Sequence, residues 1–173
     1  IGGGELRALT SGQDSYDDPE FAPDGKTLFV GVRKGGDGRT YHHGRLASFP
    51  WPFDAAKRAV LSEKLDLSVT KFAPAADNRT VYFTAETGHQ VKLYSVAVTG
   101  GAVRSLDLGA TGVIGGIAPA GGGLVGTLDH AGQPTEIVRL DPAANRVHAL
   151  TTFNRDRVAK LDLPALEHFP FTS

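Results

Sequence analysis

Short apolar runs divided by turn-forming residues set the pattern of this chain. Leu28-Phe29-Val30, Val81-Tyr82-Phe83 and Leu124-Val125 are rich in aromatic and branched side chains. Each follows a stretch suited to a tight turn: Asp24-Gly25, Ala75 to Arg79, and Gly121-Gly122-Gly123. Asp-Gly and Gly-Gly tolerate the positive φ angles that hairpin turns demand. Ahead of each turn stands an apolar-Ala-Pro step, at Phe21-Ala22-Pro23, Phe72-Ala73-Pro74 and Ile117-Ala118-Pro119. Proline has no N–H to donate, so it is expected to end the strand ladder there. After each apolar run comes a segment that alternates in period two, as in Lys92 to Val96 and Glu136 to Leu140, which predicts a third strand. A second turn (Asp54-Ala55-Ala56, Gly100-Gly101, Pro142 to Asn145) leads to a short fourth strand. An apolar period of 3.6 residues is nowhere sustained. Residues 157–167 come nearest, and Pro164 interrupts them.

The units repeat. FAPDGKTLFV at 21–30 recurs 51 residues later as FAPAADNRTVYFTA, and 45 residues after that as IAPAGGGLVGTLD. A period near 45 with several short strands per unit predicts the blades of a β-propeller. A blade buries its faces only against neighbouring blades. Three units are fewer than the usual ring of about four to eight. The expected fold is therefore all-β: a partial propeller of three four-stranded antiparallel blades at 12–64, 65–107 and 108–151. Residues 1–10 resemble the fourth strand of a preceding blade, since Gly2 to Leu9 parallels Gly100 to Leu106. Residues 152–173 carry no blade pattern and read as a linker leaving the propeller. The chain is thus expected to be a fragment of a longer protein.

Composition narrows the classes further. The formal net charge of −1, with Lys and Arg scattered, argues against a nucleic-acid partner. No apolar run approaches the ~20 residues that span a bilayer. The chain has no Cys, which excludes disulfides and thiolate sites and leaves the compartment open; a cytoplasmic location is the favoured expectation.

Catalytic signatures are few. There is no Gly-x-Ser-x-Gly elbow and no P-loop. Gly121-Gly122-Gly123 precedes a strand rather than a helix, so it reads as a turn and not a phosphate cradle. His42-His43 is the conspicuous pair. Neighbours on a strand face opposite ways, so two adjacent His rarely share a metal, and no metal site or cofactor is expected. Arg33, Lys34, Arg39, Glu86, His89, Asp129 and His130 stand just after the second strands. Ordinary hairpin polarity accounts for them, with a substrate channel as the functional alternative. In antiparallel blades the loops joining second and third strands share an end with the blade-to-blade crossings. A linker leaving a fourth strand departs from that same end. A following domain would then face the loops at 33–44, 85–91 and 129–135, and the crossings at 11–18, 62–69 and 107–114.

Two longer stretches carry a resemblance. Lys64 to Val69, Phe72-Ala73-Pro74, Thr80 to Glu86 and Leu93 to Val96 with Gly100-Gly101 resemble the late propeller blades of the prolyl oligopeptidase family of serine peptidases, in its acylaminoacyl-peptidase-like branch. Gln133 to Ile137, Leu150 to Asn154 and Leu166 to Phe171 resemble that family's last blade and its entry into an α/β-hydrolase domain. The resemblance implies a propeller that gates and lines access to a serine-peptidase active site for short peptides. The Ser-Asp-His triad would lie in the hydrolase domain, so no catalytic residue is assigned here. The implied partners are the rest of the propeller, the hydrolase domain and short peptides, with a homo-oligomer as an option. Arg33, Arg39, His42, His43, Glu86 and Asp129 are the candidate channel residues. Where this branch more often carries an acidic loop, this chain has the basic run Arg39 to His43, and its third repeat has lost the Asp-Gly turn. A non-catalytic, TolB-like propeller that scaffolds protein partners is the alternative function.

Overall fold

The computed structural model describes residues 4–39, 41–163, 167, 169 and 172. Twelve strands, one 3-10 turn (Ala55–Lys57) and one short α-helix are formed among them. The first sheet contains β1 (Ser15–Phe21), β2 (Thr27–Arg33), β3 (Arg45–Pro50) and the very short β4 (Ala59–Val60), in that order. The second contains β5 (Val69–Pro74), β6 (Thr80–Thr87), β7 (Gln90–Ala97) and β8 (Arg104–Leu106). The third contains β9 (Val113–Ala120), β10 (Gly123–His130), β11 (Gln133–Asp141) and β12 (Arg146–Ala149). Each is an antiparallel meander, and a parallel bridge between Val91 and Val113 joins the second and third into one eight-stranded hydrogen-bonded sheet. The helix α1 (Arg155–Val158) overlaps the 157–167 stretch only at Arg157 and Val158, and 159–163 are not helical. Four residues make a single turn, which is why no period could be read from it.

The sheets stack face to face, and the middle one is buried on both faces. Ala22, Phe29, Leu46 and Leu61 pack against Phe72, Val81, Phe83, Tyr94 and Val96. On the other side Ala73 and Leu93 pack against Ile114, Leu124, Leu128, Val138 and Leu140. A strand covered twice reads as a continuous apolar run, and that is the origin of Val81-Tyr82-Phe83. Lys92 to Val96 therefore does not alternate simply inward and outward: Leu93 enters one core layer while Tyr94 and Val96 enter the other. β11 does alternate, but with Glu136, Val138 and Leu140 on the covered face and Ile137 outward.

The two flanks differ. The outer face of the third sheet leaves Ile137 and Val113 exposed. The outer face of the first is covered instead. Leu28, Val30, Val32, Ala47 and Phe49 are buried there, with Tyr16 and Phe53 packed over them and the Phe49 and Phe53 rings 4.8 Å apart. The 51–58 turn folds back over its own sheet and supplies this cover.

Hairpin geometry corrects the alignment of the repeats. Ala22 N–H bonds to the Thr27 carbonyl at 2.8 Å, and Ala75 N–H to the Thr80 carbonyl at 2.9 Å. The equivalent turns are thus Ala22-Pro23-Asp24-Gly25-Lys26-Thr27 and Ala75-Ala76-Asp77-Asn78-Arg79-Thr80. Gly25 (φ 68) and Asn78 (φ 55) hold the same left-handed position. Phe21 corresponds to Pro74, not to Phe72, because Phe21 faces Leu28 and Pro74 faces Val81. Pro119 does not end its strand either: it sits opposite Leu124, and Ala120 still opposes Gly123. The third turn closes on two glycines, Gly121 and Gly122, both at positive φ.

Residues 4–10 have no strand structure, and Leu6 is fully exposed. A strand exists through its pairing; a partner for 4–10 would have to come from sheet outside the described residues, and their place in another blade is a proposal.

Candidate functional site

Loops at one end of the arc are hydrogen-bonded across the sheet boundaries. The long β2–β3 loop, residues 34–44, meets both crossings that flank its sheet. Gly35 N–H bonds to Asp14 at 3.2 Å, and Val69 N–H bonds to the Gly44 carbonyl at 2.9 Å. Farther along, Val91 N–H bonds to the Gly112 carbonyl at 3.1 Å, beside Asp129 and His130. Loops between second and third strands therefore share an end with the crossings, as antiparallel pairing requires.

A groove of about 370 Å³ opens here, walled by Val32, Val60, Tyr41, His42, His43 and Arg45. Charged side chains converge on it, and acids accompany the bases. Asp37 accepts from His42 Nε2 at 2.9 Å and from the Arg39 amide at 3.1 Å, and lies 3.4 Å from Lys34 Nζ. The His42 hydrogen bond, followed by the Arg39 amide, lowers the Asp37 carboxyl from 3.8 to about 2. Asp14 accepts from Arg58 Nη1 at 2.8 Å, and that guanidinium also donates to Tyr16 Oη at 2.8 Å. Arg58, then the Gly35 amide, holds Asp14 below its usual range. Arg45 Nη1 donates to the carbonyls of Ser62 and Leu65. Buried Ser62 in turn accepts the Leu46 N–H at 2.9 Å.

His43 stands between Ser68 Oγ (Nδ1 at 3.0 Å) and Asp66 (Nε2 at 3.3 Å). That is the order of a nucleophile, base and acid. A working nucleophile also needs free donors for an oxyanion. The adjacent N–H groups are already used: Gly44 N–H bonds to Ser68 Oγ at 3.3 Å, and Val69 N–H to the Gly44 carbonyl. Asp66 is fully exposed. The trio pins the 34–44 loop to the crossing into the second sheet.

The sequence-derived residues separate accordingly. His42 and His43 turn to different partners. Arg33 is exposed at the end of β2, and Arg39 is exposed with no side-chain ion pair among the described residues. Glu86 pairs across β6–β7 with Val91, and Asp129 across β9–β10 with Val113, each in its own sheet. No hydrogen bond or ion pair among the described residues joins either to the 34–44 loop. Asp14, Asp37, Asp66 and Ser68 were missed by sequence reasoning. Asp37-Gly38 carried a turn signal only; the others lie in crossings that topology places at this end, and the tertiary structure alone supplies their pairing with the loop. No group of three metal-ligating side chains occurs among the described residues.

The sequence matches no protein-family model and no curated protein. Solved structures do match. Acylaminoacyl peptidase from Pyrococcus horikoshii superposes with a TM-score of 0.65 at 24% identity, over 87% of this chain and 22% of that one. The β-propeller domain of the trilobed protease from Pyrococcus furiosus gives 0.55 at 21%, over 76% and 38%. TolB from Acinetobacter baumannii gives 0.58 at 16%, over 77% and 31%. The fold is a partial β-propeller. The three sheets are blades, and the chain spans about a fifth of the length of the acylaminoacyl peptidase. No helix among the described residues is long and apolar enough to cross a membrane.

The Asp37 contacts are expected to make the loop acid-sensitive. A carboxyl with a depressed folded pKa contributes stability above its unfolded value and loses it as pH falls through the folded one. The 35–42 turn is therefore expected to keep its order above pH 3.8 and lose it toward about 2. An NMR titration of the Arg39 amide checks this, and Asp37→Asn should abolish the transition.

Proposed function

We propose that this partial propeller belongs to a serine peptidase of the prolyl oligopeptidase family, close to its acylaminoacyl-peptidase branch, and that it restricts access of short peptides to a hydrolase domain following residue 173. The observation that carries this is the path of the exit segment. After β12 the chain passes beside the β10–β11 hairpin, at the end where the 34–44 loop and the blade crossings gather. A domain continuing from there would cover the groove. The likeness to acylaminoacyl peptidase over most of the chain supports the same reading. Nucleophile, base and oxyanion donors would come from the hydrolase domain, with the blades supplying walls and charge. The remainder of the propeller would cover the exposed face around Ile137 and Val113.

Arg39 is the side chain best placed to meet a peptide carboxylate, being exposed and free of an ion pair among the described residues. Arg can hold a carboxylate bidentately. In the full-length protein, Arg39→Ala should raise KM for short peptides with a free C-terminal carboxylate about three- to tenfold, as fits an exposed charged contact. It should leave kcat on a small uncharged ester unchanged, because that substrate needs only the hydrolase domain. Equal effects on both substrates, or on neither, would reduce the loop to a solvated hairpin.

The TolB match favours a second reading, a propeller that scaffolds protein partners. Hydrolysis of acyl-peptides by the full-length protein decides for the peptidase. A full-length protein inert to peptides, esters and serine-directed phosphonates decides for the scaffold.

A further inference from the structure

Glu136 occupies a core position as a carboxylate. The β11 register places it on the covered face with Val138 and Leu140, and it is 4% exposed. A carboxylate taken out of water is costly unless its oxygens are fully hydrogen-bonded. Here they are, and every donor found comes from the departing chain rather than from the blades. Oε2 accepts from the Thr151 hydroxyl and from Phe153 N–H at 3.2 Å. Oε1 accepts from Asn154 N–H at 2.8 Å and from Asn154 Nδ2 at 3.3 Å.

The exit segment is shaped around this carboxylate. Thr151 Oγ1 accepts Ile137 N–H at 2.9 Å, so one hydroxyl joins the β11 backbone to the Glu136 side chain. Leu150 and Thr151 N–H groups both bond to the Ile137 carbonyl, at 2.8 and 3.2 Å. Asn154 precedes α1, where its side chain would ordinarily cap the helix. It makes no such cap and turns to Glu136 instead. A crevice of about 300 Å³ beside this network has Gly132 and Gln133 of the β10–β11 hairpin on one wall and Arg155 and Val158 of α1 on the other.

We propose that Glu136 is the positioning residue that latches the departing chain to the last blade, and so fixes where the next part of the protein begins. Its carboxylate gathers 151–154 and holds α1 across the crevice from the β10–β11 hairpin, at the loop-bearing end of the arc. The identity of the part so placed rests on the peptidase reading; the latch does not.

The test is made on the full-length protein. Glu136→Gln keeps the shape and replaces a charged acceptor by an amide, exposing the donors to a weaker partner. Hydrogen exchange at the Phe153 and Asn154 amides should quicken about tenfold or more, the size expected for losing a charge-assisted bond. Trypsin cleavage after Arg155, Arg157 and Lys160 should rise in step. Protection at Val81 and Phe83, deep in the second blade, should not change. Asn154→Ala removes one donor side chain from the opposite side, and should accelerate the same sites in a protein whose blades keep their wild-type protection, even if Glu136→Gln fails to fold. Unchanged exchange at Phe153 and Asn154 in the tested variant would overturn the latch. So would an equal rise at Val81 and Phe83, since Glu136 would then serve the whole blade. Local loosening in a protein without peptidase activity would keep the latch and remove only the peptidase reading.

Discussion

Phe83→Ala should destabilise the protein by about 3–5 kcal/mol, the cost typical of emptying a large buried site. Phe83 is completely buried on β6, between the first and second blades. Its ring stacks on Tyr94 at 5.5 Å and 14°. Truncation removes that stack and the contacts with Val81 and Val96, and opens a void where two rigid sheets cannot easily close. Phe21→Ala is the control. Phe21 is 46% exposed, and its ring meets Trp51 edge to face, at 5.0 Å. Its loss should cost below about 1 kcal/mol. Urea denaturation of the variants, compared at the transition midpoint, checks both. A cost for Phe83→Ala no larger than for Phe21→Ala would mean that the blade interface is not the main source of stability.

Gly112→Ala should cost about 2–3 kcal/mol, because two independent penalties coincide. Gly112 lies in the crossing between the second and third blades with φ at +134, where a side chain is strained. A methyl group there would come within 2.3 Å of the Asp129 carbonyl oxygen, a backbone atom that cannot swing aside. Relief would move Gly112 away from Val91, whose N–H bonds to its carbonyl at 3.1 Å, and the link between the two blades would weaken. Gly109→Ala separates the terms. Gly109 also has positive φ, at +65, but nothing lies within 4 Å of the added carbon. It should lose only about 1–2 kcal/mol, from the left-handed backbone alone. Thermal unfolding of the two variants side by side measures the difference, and equal losses would show that the contact with Asp129 relaxes freely.

The twelve strands of the three blades and their order were legible in the sequence because they rest on local rules; the strand expected over 1–10 is not formed at 4–10. Leu28-Phe29-Val30 and its counterparts needed only β propensity and a turn before them, and the repeat supplied the blades. Alignment of the repeats was less secure. Phe-Ala-Pro recurs by sequence, yet the hydrogen-bonded turns equate Ala22 with Ala75, because Asn78 does in the second turn what Gly25 does in the first. A backbone position that either glycine or asparagine can fill hides a two-residue shift.

The β2–β3 loop is basic in sequence from Arg39 to His43, and the acidic candidates Glu86 and Asp129 stand in other sheets. The acids that the loop meets come from elsewhere: Asp14 precedes β1, Asp66 lies in the next crossing, and only Asp37 belongs to the loop. Opposite charges that meet across sheet boundaries have no spacing to detect. Glu136 is the sharper instance. By period it stands among core positions, and by chemistry it should face water. The conflict resolves only when the chain turns back at Thr151 and brings four donors to it. Taken by itself, the sequence determined the all-β character, the repeat and its unit of four strands, because each follows from neighbouring residues. Which strand faces were covered, which charges were paired and how the chain leaves the last blade were decided by the tertiary structure. Those properties depend on residues that meet only after the blades have stacked.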